Sequence, residues 1–314
     1  MSNDKICIIG ERPNFNAEHF YARAFERLGW AVSNVVLDGS GLQRILITRS
    51  VTARRLHLRS NGLSVLQESK PDLIMVIKGA FLSDQNLDAL SRLNTPLILY
   101  YTDTTRFPVL LRNRLDKFDF VFSAIPDGKM YKDFGARKFA QILWACDPEI
   151  HKPSATKERI VDVSFIGTFY WRRYWLMRSM SIKPKLAGNY WFLPPLVAES
   201  GPLRGPDYVR FVADSKVNIN IHGRVDITSR ALNMRVFEVA GIGSFLLTDG
   251  HADDVFPKRS IGIFNRKEEL SEFTQYFLEN EQIREEYALK ALEVCHKEHT
   301  YDNRALSILK FMNL

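Results

Sequence analysis

Short runs of consecutive apolar residues alternate along this chain with stretches in which apolar positions recur every three or four residues. The alternation predicts parallel α/β units, because buried parallel strands read as continuous apolar runs and their crossover helices as amphipathic periods. The first run, residues 5–9, ends at Gly10. A helix follows with Phe20, Ala24, Phe25 and Leu28 on one side, closing at Gly29. Strand, glycine turn and helix make one Rossmann-like unit. Further strands are expected at 31–37, 72–77, 96–101, 118–122 and 138–143. The charged, two-proline segment DPEIHKP (147–153) then breaks the rhythm and reads as an interdomain linker. The alternation restarts with strands at 161–166, 183–187, 216–221, 244–247 and 261–264. Residues 191–206, rich in proline and glycine, read as an irregular surface loop. The C-terminal stretch is mostly helical, at 267–278, 282–296 and 302–311. The expected fold is α/β with two Rossmann-like domains, divided near residue 150.

Length agrees with two domains: 314 residues with 46% hydrophobic positions can fill two cores. No apolar run reaches the ~20 residues needed to cross a bilayer, and the N-terminus lacks a signal-peptide pattern, so a cytoplasmic protein is expected. Cys7, Cys146 and Cys295 are far apart and without metal-ligand spacing, which predicts reduced structural thiols and no metal site. The net charge of +7 favours an anionic partner. Part of it is concentrated in Arg44, Arg49, Arg54, Arg55 and Arg59, which crown an amphipathic pattern. Two readings stand for that stretch: a solvated charged face, or a contact for a membrane surface, nucleic acid or anionic acceptor.

The densest candidate chemistry lies in NMRVFEVAGIGSFLLTD (233–249), a helix running through small residues into a buried strand. Arg235 and Glu238 fall on nearly one helix face close to the N-terminus that Asn233 precedes. An arginine beside a helix N-terminus favours a phosphate, and a carboxylate one turn later can accept from ribose hydroxyls. The plain alternative is an intrahelical surface ion pair. The run VSFIGT (163–168) ends in Gly167 and Thr168, followed by Arg172 and Arg173 at a helix start. There a glycine turn admits a diphosphate and the arginines neutralise it, or the turn is simply tight. His222 closes the strand at 216–221 and Asp103 the strand at 96–101, where open parallel sheets bind ligands. His222 could contact phosphate or sugar, and Asp103 could act as base toward an acceptor or cap the next helix. Asp253 and Asp254 read as a turn rather than a metal motif.

The RVFE segment (235–238) through Gly243 and LLTD (246–249) resembles the donor-binding signature of GT-B glycosyltransferases, especially the CgeB-like group related to family 4. FDFVF (118–122), Gly135-Ala136, DPEIHKP, VSFIGT and HTYDNR (299–304) agree in order. The resemblance implies two Rossmann-like domains facing across a cleft: an acceptor domain at 1–150, a nucleotide-sugar donor domain at 151–300, and a terminal helix at 301–314 packing back on the first. It implies metal-independent transfer of a sugar from a nucleoside diphosphate, a co-substrate rather than a cofactor, to an unidentified acceptor. Gly167, Thr168, Arg172, Arg173, Asn233, Arg235 and Glu238 would hold the donor, with Asp103 and His222 as catalytic candidates. Family 4 enzymes commonly carry two glutamates separated by seven residues. Glu238 matches the second, but Arg230 stands where the first would be. A GT-B nucleotide-sugar epimerase and a non-catalytic nucleotide- or nucleic-acid-binding module are the alternatives.

Overall fold

The computed structural model describes residues 4–11, 13–36, 66, 68–79, 82, 84–102, 111–154 and 158–314. They divide into two compact units, Met1–Leu143 with Arg304–Leu314, and Trp144–Asn303.

In the first unit, β1 (Lys5–Gly10), β2 (Ala31–Val36), β3 (Leu73–Ile77), β4 (Leu97–Tyr101), β5 (Phe120–Ser123) and β6 (Phe139–Gln141) form a parallel sheet in the order β2-β1-β3-β4-β5-β6. The runs LIMVI and LILYY of β3 and β4 are buried at every position, the pattern of strands covered on both faces. Helix α1 (Ala17–Arg27) starts where the Asn16 side chain accepts from the His19 N–H, and it buries Phe20, Tyr21, Ala24 and Phe25. The short helices α2 (Asp84–Ser91) and α3 (Gly128–Asp133) precede β4 and β6.

The second unit repeats the plan. Strands β7 (Val161–Ile166), β8 (Lys185–Ala187), β11 (Ser215–Asn220), β12 (Leu246–Thr248) and β13 (Gly262–Ile263) form a parallel sheet ordered β13-β12-β11-β7-β8. Between β8 and β11 a small antiparallel hairpin pairs β9 (Phe192–Leu193) with β10 (Leu196–Val197). The connecting helices are α4 (Trp171–Arg178), α5 (Gly205–Ala213), α6 (Arg224–Thr228), α7 (Met234–Gly241), α8 (Lys267–Glu279) and α9 (Glu281–Glu298). Phe165, Met177, Leu186, Val217, Leu247 and Phe277 are among the side chains of one apolar core on this sheet. The last helix, α10 (Tyr301–Met312), belongs to the first unit from Arg304 onward. There Arg304 Nε donates to the Leu143 carbonyl at 3.0 Å, and Phe311 packs edge-on against Phe120 and Phe122. Among the described residues no helix is long and apolar enough to cross a membrane.

Two sequence expectations change. The segment 147–153 is not a spacer: the second unit already begins at Trp144, and Asp147 is fully buried, its carboxylate accepting from the N–H groups of Glu149 and Ile150. Two prolines and charge also suit a turn whose polar groups are satisfied internally. Residues 191–206 are not an irregular loop, since they open with the hairpin and bury Trp191, whose indole N–H donates to the Gly167 carbonyl at 2.7 Å.

That hairpin is joined to β8 through a backbone contact that only glycine permits. Gly188 has φ +135°, and a Cβ placed there would lie 2.1 Å from the Gly167 carbonyl oxygen. Gly188→Ala is expected to destabilise the protein by about 1–3 kcal/mol or more, since both the backbone angle and the contact must relax. Gly201→Ala, on the same stretch but facing open space, should stay within about 0.5 kcal/mol of wild type. Urea unfolding of the two variants checks the contrast, and equal effects would contradict it.

Candidate functional site

The carboxyl ends of β7, β11 and β12 converge in the second unit, at the point where strand order reverses between β7 and β11. Helical geometry sends Arg172 and Arg173 of α4 to that edge, while Trp171 and Trp175, four apart, share the outer side. Arg172 Nη1 binds the Asp249 carboxylate at 2.6 Å and the His222 carbonyl at 2.9 Å. Arg173 is buried and donates through Nε to the Ile221 carbonyl and through Nη1 to the Thr168 carbonyl, at 2.9 and 2.7 Å. A Cβ on Gly167 would lie 3.2 Å from that guanidinium, so the glycine leaves it room. The N-terminus of α4, beside this turn, has no side-chain cap, leaving its N–H groups as a partial positive charge.

His222 is 1% exposed and has both ring nitrogens engaged. Nε2 accepts from the Asn233 backbone N–H at 3.2 Å, which puts the proton on Nδ1, 2.8 Å from Asp249 Oδ1. Asp249 Oδ1 also accepts from the His222 backbone N–H. Burial raises the Asp249 pKa, but the hydrogen bonds from His222 and the charge of Arg172 outweigh it and hold the carboxyl below its ordinary range. Asn233 caps α7 by accepting from the Arg235 N–H at 3.1 Å, and its amide donates to Asn220 Oδ1, which in turn is tied to Thr248. One polar network therefore fixes β11, β12 and the start of α7 together.

Within this edge neither Arg173 nor Arg235 has a carboxylate at ion-pairing distance among the described residues, although Asp249, Asp226 and Glu238 act on them from further away. Burial, and next the neighbouring Arg235, press the Arg173 pKa down to about 10. Asp249 is spent on Arg172 and His222, and Asp226 accepts from the Gly223 N–H. Arg235 Nε is buried without a hydrogen-bond partner. Two adjacent guanidiniums, one with an unused donor, at the carboxyl edge of a parallel sheet fit an anion with several oxygens.

Glu238 lies deeper, 4% exposed, and its contacts differ from an intrahelical surface pair. Its Oε1 is 3.7 Å from His151 Nε2, whose other nitrogen accepts from the Asp147 N–H. Burial drives the Glu238 pKa up to about 7, against the pull of Arg235 and the Tyr208 hydroxyl, while burial takes His151 down to about 4. The buried turn at 147–151 is thus the floor beneath α7. Cys146 meets Gly241 there so closely that a Cβ on the glycine would lie 2.8 Å away.

Gly167, Thr168, Arg172, Arg173, His222, Asn233 and Arg235 are brought together, with Glu238 one helical turn below. Asp103 lies outside the described residues, as does the stretch from Arg44 to Arg59. Arg230 points away into an ion pair with Asp254, which ends a 3-10 turn (Ala252–Asp254). Sequence reasoning passed over Asp249, Asn220, His151 and Tyr208 as site residues. Asp249 was within reach, since it ends an apolar run as His222 does, whereas Tyr208 gave no signal because it arrives from α5.

Residues 172–310, less than half of the chain, match the Glyco_trans_1_2 family model, described as glycosyl transferase-like. No curated protein matches the sequence. In fold the chain is similar to OtsA (TM-score 0.67, 9% identity, 99% of each chain) and to TarM (0.64, 9%, 99% of each chain). It is also similar to HepE of Anabaena, solved in complex with UDP-glucose (0.62, 11%, 98% of this chain and 99% of that one). The fold is GT-B, with two Rossmann-like domains.

The titration of Glu238 makes a prediction independent of ligand. A carboxyl with a folded pKa near 7 and an ordinary value of 4.5 binds more protons folded than unfolded between those values. Its contribution to stability is therefore present below about pH 4.5 and lost as pH rises through 7. Glu238→Gln should gain in melting temperature relative to wild type as pH goes from 5 to 8. A difference that stays flat over this range would contradict the raised pKa.

Proposed function

We propose that this protein is a glycosyltransferase that takes its sugar from a nucleoside diphosphate, with the diphosphate held at the carboxyl edge of the second sheet by Arg173, Arg235 and the N-terminus of α4. The observation that carries the reading is the Arg173–Arg235 pair, two neighbouring guanidiniums with no carboxylate at ion-pairing distance among the described residues, which lies within the glycosyl transferase-like segment. Within GT-B we place the chain with the CgeB-like group related to family 4, on the order of its segments from FDFVF to HTYDNR. Neighbouring structures solved with UDP-glucose and UDP-2-fluoro glucose support uridine diphosphate as the first nucleotide to test.

In the reaction an acceptor nucleophile attacks the anomeric carbon, the bond from that carbon to the β-phosphate oxygen breaks, and the nucleoside diphosphate leaves. Charge grows on the departing oxygens, and fixed guanidiniums and helix N–H groups stabilise it without reorganising. Arg172 acts mainly through Asp249, keeping the β7, β11 and β12 ends in register. His222, with both nitrogens occupied, positions the N-cap of α7 rather than moving a proton. Glu238 accepts from the ribose at the floor of the site, and Asp103, from its place after β4, remains the proposed base toward the acceptor. The GT-B fold also serves nucleotide-sugar epimerases; the glycosyl transferase-like match favours transfer. Three buried free thiols fit a reducing, cytoplasmic setting.

Arg235→Ala should weaken UDP binding by about ten- to hundredfold, the loss of a charge-assisted contact worth roughly 1.5–3 kcal/mol, while leaving uridine nearly unchanged. Titration calorimetry with both ligands reads this directly. Equal losses for uridine and UDP in a folded variant would remove Arg235 from the phosphate site.

A further inference from the structure

The outer side of α4 and the β9–β10 hairpin together expose an aromatic surface that the donor site does not use. Trp171, Trp175, Tyr190 and Phe192 are 60, 59, 71 and 68% exposed. Trp171, Trp175 and Phe192 form one patch, with Tyr190 two residues before Phe192: Phe169 touches both Trp171 and Phe192, and the Trp171 and Trp175 rings stack 6.5 Å apart. Val197, exposed as well, pairs with Phe192 across the hairpin. Apolar surface of this kind, contiguous and rimmed by charge, marks an interaction site.

The charge of the surrounding sequence selects the partner. Residues 163–198 contain Arg172, Arg173, Arg178, Lys183 and Lys185 and no Asp or Glu. Arg172 and Lys185 are paired with Asp249 and Glu199, and Arg173 is buried, which leaves Arg178 exposed beside Trp175, while the Lys183 ammonium sits at the end of α4 on the carbonyls of Arg178 and Met180. The Arg178 guanidinium lies 5.8 and 5.7 Å from the Tyr174 and Trp175 ring centroids. A neutral glycan would find no carboxylate or Gln in the segment to grip its hydroxyls in pairs, only Asn189 and single Ser, Thr and Tyr hydroxyls. Indole and phenol rings at headgroup depth, an apolar hairpin tip and basic side chains are what an anionic lipid interface accepts.

We propose that this surface docks the protein on an anionic membrane. Trp171 is the first residue of α4, whose N-terminus is assigned to the diphosphate, so docking sets that end of the donor site close to the bilayer and points to a membrane-borne acceptor. That consequence, unlike the docking itself, rests on the glycosyltransferase reading.

The test is co-sedimentation of the full chain with phosphatidylcholine vesicles, with and without about 30% phosphatidylglycerol. Wild type and Trp175→Ala/Phe192→Ala are compared, with UDP binding measured in parallel. The expected result is binding to the anionic vesicles, weakened by salt, and a loss of about tenfold or more in the double variant with its UDP affinity unchanged. Arg178→Glu, which leaves the rings in place, should lower binding to anionic vesicles. Absence of binding to any vesicle overturns the proposal. So does undiminished binding in both variants, which would place the contact elsewhere. Single-stranded RNA that binds the patch and displaces vesicles would reassign the surface to nucleic acid and equally overturn it. Failure of wild type to bind UDP sinks the donor reading and leaves the vesicle result standing.

Discussion

Parallel strands that end together leave a row of carbonyl groups at their carboxyl edge, and in the second unit arginines from a single helical turn meet them. Arg173 takes the carbonyls of Thr168 and Ile221, and Arg172 takes that of His222 while binding Asp249. The arrangement fixes the spacing of β7, β11 and β12, and through His222 and Asn233 it also fixes where α7 starts. Because the backbone carbonyls are dipoles rather than full charges, Arg173 brings a net positive charge into a buried place. Arg235 adds a second, and the proposed anion site follows from how the sheet edge is held together.

The architecture was largely legible in the sequence because burial on both faces of a parallel sheet writes itself as unbroken apolar runs. The run at 161–166 matches β7 residue for residue, and LIMVI and LILYY sit within the runs expected at 72–77 and 96–101. The β9–β10 hairpin was hidden because two-residue strands have no period to detect, and its prolines and exposed aromatics resemble a loop. The 147–153 segment misled for a different reason. Charge and proline signal exposure only when nothing satisfies them, and here Asp147 closes its own turn.

For the candidate site, sequence spacing singled out segments that the fold places side by side but could not assign roles within them. Arg172 and Arg173 are adjacent and chemically identical, yet one is neutralised by a carboxylate and the other is held by carbonyls that leave its charge in place. That difference depends on which side of α4 faces β12. His222 looked like a reactive group at a strand end, and its ring is wholly used in holding Asp249 and the α7 cap. Glu238 stood out by its position after Arg235, but its raised pKa comes from depth, which spacing does not report.

Where the diphosphate sits can be read from amide hydrogen exchange with and without saturating UDP. A diphosphate at this sheet edge should slow exchange in residues 166–173 and 221–236, where strand ends and helix starts surround the arginines. UDP that binds while these segments exchange as before, with protection appearing elsewhere, would contradict it.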